Sequence, residues 1–148
     1  RIMSLRDASN KMSKSDVSKY SRILLTDSND DISNKINKAK SDSLNMPSLI
    51  SELEKRPEIN NLITIYSSIS NQEKQSVIDL FSGKEISYFK SELKDITINL
   101  IEPIASSIKE IRNNKDFLRD TLETGSIKAR ERASNTIEEI NKLMGFRN

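Results

Sequence analysis

Residues Lys11-Met12-Ser13-Lys14-Ser15 carry the densest chemistry in this chain. Two ammonium groups and two hydroxyls fall on a short, glycine-free, polar stretch. Lysine is a compact point charge on a flexible stem, so this set of donors suits the charge that develops on a polyphosphate. The chain is rich in Lys and Ser but holds only 4 Met. Its composition produces that pentapeptide by chance in roughly one such chain in a thousand. A solvated, turn-prone Lys/Ser loop is the plain alternative for five letters read alone.

Other chemistries are closed off by composition. The 148 residues include no Cys and no His, which excludes disulfides, thiolate nucleophiles, imidazole catalysis and the common zinc sites. No metal ligands are expected. The net charge is only +2, from 24 basic and 22 acidic residues, so any contact with RNA must be local rather than driven by a broad positive field. No apolar run is long enough to span a membrane and no signal peptide is visible; no membrane association and a cytoplasmic location are the default. Arg1 is not an initiator Met, so the chain is expected to be cut from something longer.

The elements that must hold the loop are mostly helices. Hydrophobic residues make up 34% of the chain and aromatics 5%, with 31% charged residues, 3 Gly and 3 Pro. That balance favours long helices with solvated faces and a core of Ile and Leu. Ile2-Met3-Ser4-Leu5 reads as a short strand, and residues 6–29 as irregular. A helix capped by Asn29-Asp30-Asp31 is expected through about Lys40, with Ile32, Ile36 and Ala39 on one face. A short helix is expected over 48–55, and Pro57 fits the first position of the next one. Ser70-Asn71-Gln72-Glu73 has capping-box spacing ahead of Val77, Ile78 and Phe81, with Gly83 as a left-handed stop.

The longest apolar stripe is Ile86, Phe89, Leu93, Ile96, Leu100, Ile104, Ile108 and Ile111, with a kink expected at Pro103. Asn114 is expected to cap a short helix ended by Gly125. Ser126 would then open a last helix ended by Gly145. Lys109, Arg112, Lys115 and Arg119 form a loose basic group that reads as a solvated face.

More than the loop matches a known pattern. Arg1 to Asp7 followed by Lys11 to Asp16 resembles the segment of the bacterial tryptophanyl-tRNA synthetases that runs from an Arg-Ile-Met start into the KMSKS loop of class I aminoacyl-tRNA synthetases. Asn37-Lys38-Ala39-Lys40-Ser41-Asp42-Ser43 resembles that family's lysine-rich helix end, and Asn61-Leu62-Ile63-Thr64-Ile65-Tyr66-Ser67 its Asn-Leu-Leu-x-Ile-Tyr-Ser run. Phe117-Leu118, Gly125, Lys128-Ala129-Arg130, Ala133 and Met144-Gly145-Phe146 match its C-terminal helices. Ala8 and Val17 depart from the pattern, standing where many members have Pro. Residues 44–56 match nothing clearly.

The resemblance implies an all-α helical bundle of the anticodon-binding type, preceded by a strand-and-loop remnant of a Rossmann-type catalytic domain. The implied division is residues 1–28 for the end of the catalytic domain and 29–148 for the helical domain. It implies a tryptophan–tRNA ligase that uses ATP with Mg2+, tryptophan and tRNA(Trp), and that is a homodimer when intact. Carried over residue by residue, Lys11 and Lys14 would be catalytic, and Ile2, Lys11, Met12, Ser13, Lys14 and Ser15 would bind ATP. The family's His-Ile-Gly-His-like motif has no counterpart here, so the chain alone is expected to be inactive. The final helix is expected to pack back on the catalytic half, leaving its apolar stripe partly bare in this chain and prone to self-association. The alternatives are a non-catalytic helical module that binds RNA or protein, and the related tyrosine–tRNA ligase.

Overall fold

The computed structural model describes residues 1–146. Five α-helices account for most of the chain: α1 (Asn29–Asn37), α2 (Pro57–Ser70), α3 (Lys74–Phe81), α4 (Ile86–Asn113) and α5 (Lys115–Met144). Short 3-10 turns occupy Lys19–Ser21 and Ile50–Lys55. The chain groups into two compact units, Arg1–Ser106 and Ser107–Asn148, with the division inside α4.

The all-α expectation holds, and the anticipated strand at residues 2–5 reduces to one antiparallel bridge between Met3 and Lys11. A single short pairing with no neighbour cannot build a sheet. Helix starts follow local chemistry. The Ser28 hydroxyl accepts from the Asp31 amide while the Asp31 carboxylate accepts from the Ser28 amide. The reciprocal cap therefore sits one residue ahead of the expected Asn29. Hydrogen bonds from Ser28 hold the Asp31 carboxyl below the usual carboxylate range. Pro57 begins α2 as anticipated, because it has no amide hydrogen to leave unpaired there.

Two boundaries differ from the sequence reading. Ser70 does not cap α3; it is the last residue of α2, and Asn71 turns left-handed at φ 54° to end that helix. Asparagine is among the few residues with a side chain that tolerate that conformation. α3 then starts after Glu73 without a side-chain cap. Gly125 does not end a helix either. One continuous α5 passes through it and Ser126, starting from the Asn114 cap on the Phe117 amide and stopping at Gly145 with φ 72°. An exposed helical glycine costs only about 1 kcal/mol against alanine, too little to break a long helix.

The core of the first unit is drawn from every helix in it. Ile32 and Ile36 of α1, Ile59, Leu62, Ile63 and Tyr66 of α2, Val77, Ile78 and Phe81 of α3, and Phe89 and Leu93 of α4 are buried, joined by Leu5, Ala39, Met46 and Leu53. Tyr66, Phe81 and Phe89 gather three of the seven aromatic rings the chain contains. Their centroids lie 5.0–5.7 Å apart, and Phe81 is edge-on to both others. That arrangement is favoured by the ring quadrupoles.

The buried face of α4 runs Ile86, Phe89, Leu93, Thr97, Ile101, whereas Leu100 and Ile104 are exposed. The stripe is therefore rotated from the expected one beyond Leu93. Thr97 can take a core position because its hydroxyl donates to the Leu93 carbonyl at 2.6 Å. Helix α4 continues through Pro103. In the second unit α5 buries none of its residues; Leu122, Ile127, Ile137, Ile140 and Leu143 are all exposed. Lys109, Arg112, Lys115 and Arg119 are exposed, and Arg119 pairs with Asp116 at 3.3 Å.

Candidate functional site

The Lys11–Ser15 loop grows from a small hairpin. Ser4 donates to the Asn10 carbonyl at 2.8 Å and Met12 donates to the Ile2 carbonyl at 3.3 Å, on either side of the Met3–Lys11 bridge. The connection between the two arms is an aspartate-centred turn. Asp7 accepts from the Ser9 amide and hydroxyl and from the Asn10 side chain, at 2.6–3.0 Å. Such local bonds are why Asp favours turns. Leu5 sinks into the core next to this hairpin, and its backbone is tied on both sides: its amide donates to Ser21 at 2.9 Å and its carbonyl accepts from Lys40 at 2.7 Å.

Beyond the hairpin the loop turns at its tip. The Asp16 amide donates to the Ser13 carbonyl at 3.4 Å, placing Lys14 and Ser15 at the corner, with the Ser13 and Ser15 hydroxyls 3.1 Å apart. Lys11, Ser13, Lys14 and Ser15 are exposed. Met12 is half-buried and, with Ile2, packs against the hydrophobic core. The far end is held by Arg22, whose guanidinium donates to the carbonyls of Asp16 and Ser18 at 2.9 and 3.1 Å. The structure thus brings all six sequence-predicted residues, Ile2 and Lys11 to Ser15, into one feature with fixed roots and an exposed cationic tip.

Electrostatics sharpen that tip. The carboxylates nearest in sequence are occupied elsewhere: Asp7 by its turn and Asp16 by the Ser18 amide at 2.8 Å. The hydrogen bonds from Ser9 and Asn10, with a smaller contribution from the Lys40 charge, hold the Asp7 carboxyl below its ordinary range. The ion pairs among the described residues involve Lys35, Lys40, Arg56, Lys94 and Arg119, and neither Lys11 nor Lys14. Two unneutralised ammonium groups beside two hydroxyls therefore fit an anionic ligand with several oxygens, which is the chemistry of a nucleotide's phosphates. Among the described residues no acidic cluster could hold a metal ion, and no helix is long and apolar enough to cross a membrane.

Sequence reading did not assign roles to Asn61, Arg22 or Asp7. Asn61 had a usable signal: it is a polar residue flanked by Ile59, Leu62 and Ile63, and only 5% of it is exposed. Arg22 gave no pattern, because its bonds are to backbone carbonyls that the turn itself brings close, and Asp7 bonds only to its near neighbours Ser9 and Asn10.

A helical domain with a lysine-serine turn fastened to its edge defines a class. The chain belongs to the class I aminoacyl-tRNA synthetases: the family described as tRNA synthetases class I (W and Y) matches residues 1–102. Within that class the chain is similar to tryptophan enzymes. The chain is 47% identical over 147 residues to the tryptophan–tRNA ligase of Rickettsia prowazekii, and 45% identical over 146 residues to that of Rickettsia felis; in both cases 99% of this chain is covered. Its fold matches the crystal structure of tryptophanyl-tRNA synthetase from Mycoplasma pneumoniae with a TM-score of 0.74 and 25% identity, over all of this chain and 46% of that one. The chain spans 44% of the length of the two Rickettsia proteins.

Proposed function

We propose that this chain is the C-terminal part of a tryptophan–tRNA ligase, with residues 1–28 closing the catalytic domain and residues 29–148 forming the helical domain that receives tRNA(Trp). The observation that carries this reading is the loop at Lys11–Ser15, whose two lysines are exposed and unpaired within a chain so similar to tryptophan enzymes.

In the reaction, a tryptophan carboxylate oxygen attacks the α-phosphorus of ATP, and the bond to the β-phosphate bridging oxygen breaks. Pyrophosphate leaves with that electron pair. The terminal hydroxyl of the tRNA then attacks the aminoacyl carbonyl, and AMP departs. Negative charge grows on the pyrophosphate side during the first step. Lys11 and Lys14, with the Ser13 and Ser15 hydroxyls, are the donors in this chain that meet it. Donors that strengthen as charge develops raise the rate, whereas equal binding of ground and transition states does not. The tip must also yield for pyrophosphate to leave. Its few internal bonds, two of them at 3.4 Å, suit a segment that closes and reopens.

Ile2 and Met12 would line the adenosine side of the same site, ATP arriving with its Mg2+. The exposed apolar side chains of α5 are read as the surface for the upstream catalytic part. The intact enzyme is read as a cytoplasmic homodimer, and the isolated chain as inactive. Purified full-length protein should charge tRNA(Trp) with radiolabelled tryptophan. A full-length, folded protein that forms no tryptophanyl-tRNA would overturn this reading.

A further inference from the structure

Residues 2–4 form an extended segment, and such a segment offers hydrogen-bonding groups alternately to its two edges. One edge, the Ile2 carbonyl and Ser4 amide, is taken by the loop arm at Met12 and Asn10. The opposite edge, the Met3 amide and carbonyl, is taken by a single side chain. The Asn61 carboxamide accepts from the Met3 amide at 2.8 Å and donates to the Met3 carbonyl at 2.9 Å, with a longer bond to the Ser4 carbonyl at 3.3 Å. This carboxamide does what a neighbouring strand's peptide group would do. It comes from the first turns of α2, 58 positions away in sequence from Met3. Asn61 is 5% exposed, and its carboxamide is held in place by these three bonds.

We propose that Asn61 is a positioning residue for the ATP-gripping loop: by pairing both the amide and the carbonyl of Met3 it fixes the root of the Lys11–Ser15 turn to helix α2 and thereby sets where Lys14 stands when pyrophosphate leaves. This rests on the tryptophan–tRNA ligase reading above. Nothing else among the described residues bonds the Met3 amide and carbonyl. Without Asn61 the arm loses its direct tie to α2 and keeps its two hairpin bonds, the Leu5 bonds to Ser21 and Lys40, and the packing of Ile2, Leu5 and Met12 in or against the core. Aspartate is the informative replacement, since it has the same size. Ionised, it offers no donor to the Met3 and Ser4 carbonyls and repels them. Protonated, it restores one acceptor and one donor. Burial beside carbonyls raises its pKa, so the restoration falls within an accessible range.

The test uses the full-length enzyme and tryptophan-dependent ATP–pyrophosphate exchange, with each variant's folded fraction measured by thermal melting. Asn61→Asp should lose of order ten-fold in kcat/KM for ATP at pH 8, and its ratio to wild type should climb as pH falls towards 6. Asn61→Ala should lose at least as much, yet cost nearly nothing further when added to Lys14→Ala, because the group it positions is already gone. Thr97→Val, an equally buried change that leaves residues 2–4 untouched, should keep the wild-type exchange rate per folded molecule. The Met3 amide should be protected from hydrogen exchange in the wild-type protein, a readout that needs no variant. Additive losses for Asn61→Ala and Lys14→Ala, a pH-independent deficit in Asn61→Asp, or a freely exchanging Met3 amide would each overturn the proposal. Wild-type exchange that ignores tryptophan would instead overturn the ligase reading beneath it.

Discussion

Replacing Lys14 by alanine isolates the chemistry assigned to the loop. Lys14 stands at the corner of the turn closed by the Asp16 amide and the Ser13 carbonyl, is exposed, and takes part in none of the ion pairs among the described residues. Its removal should therefore change fold stability by less than about 0.5 kcal/mol, as for ordinary surface substitutions. A charge-assisted contact to the leaving pyrophosphate is worth about 1.5–3 kcal/mol. At 1.36 kcal/mol per decade that is a fall of about 10- to 150-fold in rate. Because the contact strengthens as charge develops, kcat should fall together with kcat/KM for ATP. The assay is tryptophan-dependent pyrophosphate exchange by the full-length enzyme, run beside Lys55→Ala, an exposed lysine in the 3-10 turn before α2. A Lys14→Ala rate within threefold of wild type, or one explained by a lower melting temperature, would refute the assignment.

Two further outcomes concern the scaffold. Gly125 lies inside α5, and a Cβ added there meets nothing within 4 Å. Gly125→Ala should therefore stabilise α5 by about 0.5–1 kcal/mol, measured by circular-dichroism melts, whereas a left-handed helix end at that residue would make the change destabilising. The Arg56 guanidinium, 9% exposed, grips both Asp42 oxygens at 2.7 Å and also donates to the Asn45 carbonyl. The hydrogen bonds from Arg56 hold the Asp42 carboxyl below the usual carboxylate range. A depressed carboxylate stabilises the fold above its unfolded pKa, near 4, and loses that contribution as pH falls through the folded value. Asp42→Asn should lower stability by about 1–3 kcal/mol at pH 7 and give a shallower acid limb in urea melts between pH 5 and pH 2 than wild type. Parallel acid limbs would contradict the pairing.

The loop and most helix ends were legible because they depend on local chemistry. Pro57 at a helix start and Gly83 and Gly145 at left-handed stops each satisfy a constraint that few other residues can. Ser70 and Gly125 misled for a related reason. Each matched a local motif, but Asn71 ended α2 first, and a thirty-residue helix absorbed the cost of one glycine. The phase of α4 was hidden by Thr97. A polar residue leaves an apolar stripe blank at that position, yet its hydroxyl is satisfied within its own helix and the core takes it in. What the loop is fastened to was not readable, although Asn61 stood out as a polar residue among apolar neighbours. The bonds from Asn61 to Met3, from Lys40 to Leu5 and from Arg22 to Asp16 join side chains or peptides to a backbone that only the folded chain brings near.

The central claim is that this loop serves tryptophan activation. It is tested most directly by pyrophosphate exchange in the full-length protein with each amino acid supplied alone. Exchange of labelled pyrophosphate into ATP should appear with tryptophan, be absent with tyrosine, and vanish in the Lys11→Ala, Lys14→Ala double variant while its melting temperature is kept. Exchange driven by tyrosine, or tryptophan-driven exchange that survives the loss of both lysines, would contradict it.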